Sequence, residues 1–415
     1  MLRIQPFSAI RPPAELAADV ASVPYDVIDT TEARVLAEGR PRSFLHIVRS
    51  EIDLPESTDP YDDAVYAQAK QNLDAFINAG ILVRDPQRRF YLYRQIMGSH
   101  AQVGLVCCVH VDDYMNDVIK KHEKTRKDKE DDRTRHVLTL NANAEPVFLT
   151  YHDQPAVTRL VDRDTATKPL FDFTTADGVQ HTVWEANDTN AYLAAFRDVD
   201  VAYIADGHHR SASAARAGAE RRAANPHHTG SEEYNWFLAV LFPASRLQIM
   251  AYNRLVKDLN GQTPEQVLSR MEDVGILTRC NGEHTPTQPG AVCFYLQGEW
   301  HGLVFDPDTI DFNDPIARLD VSLLQSRILE PILGIGDVRT DKRIDFIGGI
   351  RGHAELAHRV DAIDRKGGGP AIAFSMFPTT IEQLIAVSDA GMIMPPKSTW
   401  FEPKLRSGLF VHELG

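Results

Sequence analysis

Apolar and polar positions along this chain fall into two recurring patterns. Between residues 61 and 79, Ala64, Ala67, Leu73, Phe76 and Ile77 recur at helical spacing. This predicts an amphipathic helix, stopped by Gly80. Apolar, β-prone runs at 90–97 and 102–111 predict a strand pair joined through 98–101. Further strands are expected at 42–48, 147–151, 180–185, 202–205, 238–242 and 248–252. Helices are expected at 31–38 and 211–224, the second ended by Asn225-Pro226. Beyond residue 260 the pattern predicts a helix at 265–274, an irregular stretch at 281–290 and a hairpin-like pair at 291–297 and 300–305. A helix at 322–329, a strand at 344–347, a helix at 354–361, a buried strand at 371–377 and a helix at 381–390 complete it. No internal repeat is present. Interleaved strands and helices predict an α/β to α+β fold, with mixed sheets and flanking helices. The turn-forming residues Asn260 to Pro264 suggest a boundary. The expected division is an N-terminal α/β domain over 1–260 and a C-terminal α+β domain over 261–415.

One junction is unusually dense in chemistry. An apolar strand pattern ends at Asp206-Gly207 and an Ala-rich helical run follows, with His208, His209, Arg210, Ser211 and Ser213 at the turn. A strand that turns at glycine into a helix directs free backbone N–H groups at one spot. The helix dipole adds positive potential there, which suits phosphate. Arg210 can add a bidentate contact, and the histidines can donate or shuttle protons. Asp206 is the candidate base or metal ligand. The plainer alternative is that Asp206 caps the helix and the histidines are structural.

Two more clusters stand out. Residues 119–136 interleave both charge signs and include Lys121, His122, Glu123, Thr125, Arg126 and Arg133. The functional reading makes Glu123 a base and lets Lys121, His122, Arg126 and Arg133 hold phosphate. The alternative is a solvated, salt-bridged helix. Residues 394–408 hold three prolines, which keep them irregular. There Lys397, Ser398, Thr399, Trp400 and Lys404 could wall a nucleotide pocket, or Trp400 and Phe401 could pack a strap into the core. Asp26 is catalytic, or Tyr25 and Asp26 order a turn. Arg339 to Arg343 holds anions or forms a solvated loop.

Composition narrows the classes. Of 415 residues, 43% are hydrophobic and 25% charged, an ordinary globular balance. A net charge of −14 disfavours a nonspecific grip on nucleic acid or anionic membrane, so neither is an expected partner. The four cysteines lack metal-site spacing and are expected to be buried free thiols. No apolar leader or transmembrane-length run is present, so a cytoplasmic location is expected.

Several of these motifs resemble one family. Pro24 to Ile28, Ser43 to His46, Lys121 to Arg126, Ile204 to Arg210, Arg339 to Arg343 and Pro395 to Lys404 together resemble the DUF1015 family of conserved bacterial and archaeal proteins. The Asp206–Arg210 box also resembles the phosphate-binding box of the ParB/sulfiredoxin superfamily. Members of that superfamily bind nucleotides, and some phosphorylate free L-serine. The resemblance implies a ParB/sulfiredoxin-like phosphate-binding element in the central part of the chain. It also implies a phosphotransferase acting on a small hydroxylated metabolite. Free L-serine is the first acceptor to try, or O-phosphoserine in the reverse direction. The donor would be ATP, ADP or pyrophosphate, with Mg²⁺. A non-catalytic nucleotide-binding regulator and a metal-dependent hydrolase built on Asp206, His208 and His209 are the alternatives. The expected partner is a small molecule, and a homodimer stays open.

Overall fold

The structure is a computed structural model that describes residues 1–280 and 284–415. It divides into two compact units. One comprises Met1–Leu247 with Pro403–Gly415, the other Gln248–Glu402.

The first unit is built on a mixed nine-stranded sheet. Its order is Ile119–Lys120, Ala202–Asp206, Val147–Tyr151, Trp236–Pro243, His100–His110, Tyr91–Met97, Gln180–Glu185 and Phe171–Thr174, with Ile4–Gln5 also on His100–His110. Two pairings are parallel: Ile119–Lys120 with Ala202–Asp206, and Val147–Tyr151 with Trp236–Pro243. The central strands are apolar on both faces, as expected where both faces are covered. Phe90, Leu105, Leu149, Ile204 and Leu241 lie in one core. A second core gathers Phe44, Leu45, Ile47, Leu73 and Val411. The helix Asp63–Asn78 presents Val65, Tyr66, Ala69, Leu73 and Phe76 inward, the 3.6-residue spacing of an amphipathic helix.

The second unit holds a six-stranded antiparallel sheet. Its order is Gly275–Arg279, Glu299–Phe305, Ala291–Leu296, Ile372–Met376, Tyr252–Val256 and Ile344–Gly348. The helix Gly352–Arg365 buries Leu356 and Val360 against Leu255, Ile347 and Ala373.

Both units mix sheets and helices, in agreement with the α/β to α+β expectation. Several finer expectations change. The division at 260/261 gives way to one at 247/248, because Tyr252–Val256 is hydrogen-bonded between two strands of the second sheet. Residues 403–415 return to the first unit, where His412–Glu413 pairs with Ala142–Asn143. The strand expected at 42–48 is the short helix Leu45–Val48, with Ile47 amide bonded to Phe44 carbonyl. Tertiary packing there overrides β propensity. Residues 119–136 are not one helix. A two-residue strand and a loop precede the helix Lys127–Leu140. The irregular stretch at 281–290 begins at residues outside those described. Cys107, Cys108 and Cys293 are buried, Cys280 is half-buried, and all four are free thiols. Among the described residues, no helix is long and apolar enough to cross a membrane.

Candidate functional site

The Ala202–Asp206 strand buries Tyr203, Ile204 and Ala205 and ends at a half-buried Asp206. Its register against Val147–Tyr151 slips between Ile204 and Asp206, where a bulge re-aims the chain. Gly207 then sits at φ +95°, a conformation that a side chain strains. The 17-residue helix His208–Ala224 follows directly. Gly207 is its N-cap, with no side-chain cap. Asp206 therefore is not the helix cap. The first turn of this helix has the amide donors and dipole that favour an anion.

Strand directions explain what else gathers here. Ile119–Lys120 runs parallel to Ala202–Asp206, so the loop 121–126 leaves the sheet at the same end. Val147–Tyr151 runs antiparallel, so Glu145 and Pro146, just before it, lie at that end too.

Arg210 lies at the centre. Its Nη1 donates to the Pro146 carbonyl at 2.5 Å, and its Nη2 to Asp206 Oδ2 at 2.8 Å and Asp26 Oδ2 at 3.4 Å. Its Nε is buried without a partner. The guanidinium packs against Gly207, 3.1 Å from where a Cβ would stand. Lys404 Nζ reaches Asp206 Oδ1 at 3.3 Å. Burial pushes the Asp206 carboxyl up, but Lys404 and Arg210 outweigh it and hold it below the ordinary carboxylate range. Burial holds Glu145 above its ordinary value, reinforced by Asp26 and opposed by Arg210. Glu145 accepts from Ser407 Oγ at 2.7 Å and Tyr25 N at 3.2 Å. The spacing patterns did not single out Glu145. The only available signal was a carboxylate and a proline just before a wholly apolar strand.

Both histidines meet the 121–126 loop. His208 is buried. Its ring lies edge-on to His122 at 4.4 Å between centroids, and its Nδ1 lies 3.6 Å from Glu123 Oε2. Burial lowers the pKa of His122 to about 4, opposed by Asp206, so this imidazole is neutral at pH 7. Neither ring nitrogen of His122 has a hydrogen-bond partner, although the residue is only 2% exposed. His208 is held well below its ordinary value, first by burial and then by neighbouring cations and imidazoles. His208 Nε2 lies 3.5 Å from the His122 amide, and His209 Nε2 accepts from the Arg126 amide of the same loop at 3.1 Å.

Other expected site residues have different work. Ser211 is fully buried and donates to the Gly207 carbonyl at 3.1 Å. Lys121 bonds the Tyr114 carbonyl at 2.8 Å and pairs with Asp117 at 2.6 Å. The Arg126 side chain is exposed and pairs with Asp128 at 2.7 Å. Arg133 pairs with Asp132 at 2.8 Å and lies over the Tyr25 ring. These side chains already bond protein groups, so a phosphate would have to share or displace those contacts, while the buried Arg133 Nη1 has no partner.

Lys397, Ser398, Thr399 and Trp400 belong to the second unit. There Trp400 pairs with Met250 and packs against Gly348, leaving no room for a Cβ. Ser398 Oγ donates to the Pro395 carbonyl at 2.6 Å, Thr399 is half-buried, and Lys397 lies over the Tyr252 ring. Arg343 is bound to Asp341 at 2.9 Å and to the Gly334 carbonyl at 2.7 Å.

A metal fares poorly here. Among the described residues, no group of three or more His, Cys, Asp or Glu side chains could hold an ion. Both Asp206 oxygens already accept from cations. The ligand set of a metal hydrolase is therefore not assembled, and Asp206 does not fit a resident Mg²⁺.

The family model described as "Protein of unknown function (DUF1015)" matches residues 4–322. The chain belongs to the DUF1015 family. The match covers the Asp206–Arg210 turn and the 121–126 loop and ends before Arg339 and Pro395. A search of the curated proteins returns no match. Among solved structures, the chain is similar to C-terminally truncated SbnI from Staphylococcus aureus, with TM-score 0.38, 10% identity, and 74% of this chain and 87% of that chain covered. It is also similar to a mutant free serine kinase in complex with AMP, with TM-score 0.34, 12% identity and coverages of 73% and 92%. A conserved hypothetical protein from Pyrococcus furiosus gives TM-score 0.33, 14% identity and coverages of 74% and 95%.

Proposed function

We propose that the end of the Ala202–Asp206 strand is the phosphate-handling site of a small-molecule phosphotransferase, with free L-serine the first acceptor to test. One observation carries this reading. An ionised Asp206, flanked by Lys404 and Arg210, stands at the amino end of a 17-residue helix that opens without a side-chain cap. Phosphoryl transfer is catalysed chiefly by positioning and by stabilising spread negative charge. The first-turn amides and Lys404 supply that stabilisation. Asp206, held below its ordinary pKa, is a weak base and acts by positioning Lys404 and Arg210. Proton removal from the acceptor hydroxyl falls to Glu123, which lies beside His208, or to Asp26, which lies beside Arg210; both are solvent-accessible carboxylates. The neutral His122, packed on His208, has both ring nitrogens unpartnered and can donate or accept there.

The choice of L-serine rests on the sequence resemblance of the Asp206–Arg210 box. The donor would be ATP, ADP or pyrophosphate. Magnesium enters with the donor's phosphates, since Mg²⁺ binds through substrate phosphates with few protein ligands. Nucleotide binding without turnover is the second reading, favoured by the weak basicity of Asp206.

Phosphorus NMR separates the two. The protein is incubated with L-serine, Mg²⁺ and, separately, ATP, ADP or pyrophosphate. A phosphoserine resonance that Asp206→Asn removes supports the kinase reading and names the donor. Nucleotide binding with no new resonance supports the switch.

A further inference from the structure

Three arginines are buried among the described residues: Arg210, Arg254 and Arg406. Arg210 has Asp206 and Asp26, and Arg406 has Asp177. Arg254, in the second unit, is 3% exposed and pairs with no carboxylate among the described residues. Its Nη1 donates to the Tyr252 carbonyl and its Nη2 to the Lys397 carbonyl at 3.0 Å. The Phe346 ring lies 5.4 Å from its guanidinium. These neutral partners do not neutralise the charge, and an uncompensated buried charge is costly. Burial pulls its pKa down to about 10, with only Tyr252 opposing, so it stays charged at neutral pH.

Arg254 also lines a cavity of about 160 Å³. Val321, Leu329, Val338 and Pro395 form apolar parts of its wall. Gln325 and Leu329, also on the wall, bracket a π-helical turn in which the Glu330 amide bonds the Gln325 carbonyl at 3.0 Å. Such turns are rare and frequently mark functional sites. Lys397, whose carbonyl faces Arg254, stands at φ +56°. A residue held in that region indicates that its surroundings dictate the conformation.

We propose that this cavity binds a small aliphatic monocarboxylate, with Arg254 as its counter-charge. The volume equals about five waters of liquid, too small for a nucleotide. The apolar wall suits a short carbon chain. Asp337 and Arg339, also on the wall, pair with each other at 3.5 Å, which leaves Arg254 as the cavity's unmatched charge. The planar guanidinium matches a carboxylate. This site is independent of the phosphotransferase reading.

The test is a thermal-shift titration of the full chain with sodium propionate, L-lactate or phosphate, against sodium chloride at equal ionic strength. Propionate or lactate is expected to raise Tm where chloride does not. Arg254→Met should weaken carboxylate binding by about tenfold to a hundredfold, the worth of a charge-assisted hydrogen bond. If that variant does not fold, Val338→Trp, which fills the cavity, should abolish the shift. The proposal is overturned if carboxylates act no differently from chloride, if only phosphate shifts Tm, or if the shift survives Val338→Trp.

Discussion

Arg210 and Arg254 are both buried, one in each unit, and their surroundings are opposites. Arg210 meets two carboxylates directly and has a third, Glu145, close enough to shift its titration. Arg254 meets two carbonyls and a phenylalanine ring. The first arrangement is closed and neutralised by the protein's own groups. The second leaves a charge for something else to neutralise. The sign and size of each arginine's contribution to stability should therefore differ.

The largest effect is expected at Arg210. Arg210→Met removes the cation that Asp206, Asp26 and Glu145 share, leaving only Lys404 on Asp206. Breaking a buried pair from one side costs about 3–5 kcal/mol, to be read from urea denaturation midpoints. A loss under about 1 kcal/mol would erase the contrast with Arg254.

Gly207→Ala comes next. The substitution combines a positive φ with a Cβ 3.1 Å from Arg210 Nε. A cost of about 1–3 kcal/mol is expected. Gly391→Ala, at φ +64° with no atom within 4 Å, isolates the backbone part of that cost. Equal losses at the two sites would show that Arg210 gives way freely.

Acidification tests the first unit in another way. Burial lowers His122 to about 4, and His136 and His181 to about 3. Each takes a proton near 6.5 when unfolded. Between those values the unfolded chain binds more protons, so stability rises with pH up to about 6.5 and is lost as pH falls through the window. The urea midpoint should be lower at pH 5 than at pH 7. Replacing His122 with glutamine should flatten part of this slope.

The smallest effect is expected at Arg254. In chloride buffer, Arg254→Met should be close to neutral or stabilising by about 1 kcal/mol, because it removes an uncompensated buried charge. A loss as large as that at Arg210 would mean the two carbonyls and Phe346 suffice, and the contrast between the units would fail.

Much of the architecture was legible. The strands at 90–97, 147–151 and 180–185 and the helix at 61–79 were legible as elements, although the helix buries Val65, Tyr66 and Ala69 with Leu73 and Phe76 and leaves the expected Ala64 and Ala67 exposed. The turn at Asp206-Gly207 was legible because the strand, glycine and helix signals are contiguous. Leu45–Val48 was misread because a short apolar run has no periodicity to separate strand from helix. The helices Pro155–Thr165 and Thr189–Ala195 were missed, the second being only seven residues long, too short to show a helical period.

The sequence by itself determined the local elements, the family and the residue types at the strand–helix turn, since these depend on neighbours within a few positions. Only the tertiary structure decided which charges are paired. Lys404 reaches Asp206 across 198 positions and Asp26 reaches Arg210 across 184. Nothing in residue spacing distinguishes Arg254 from its partnered counterparts, because a missing counter-charge is a property of the space around a side chain.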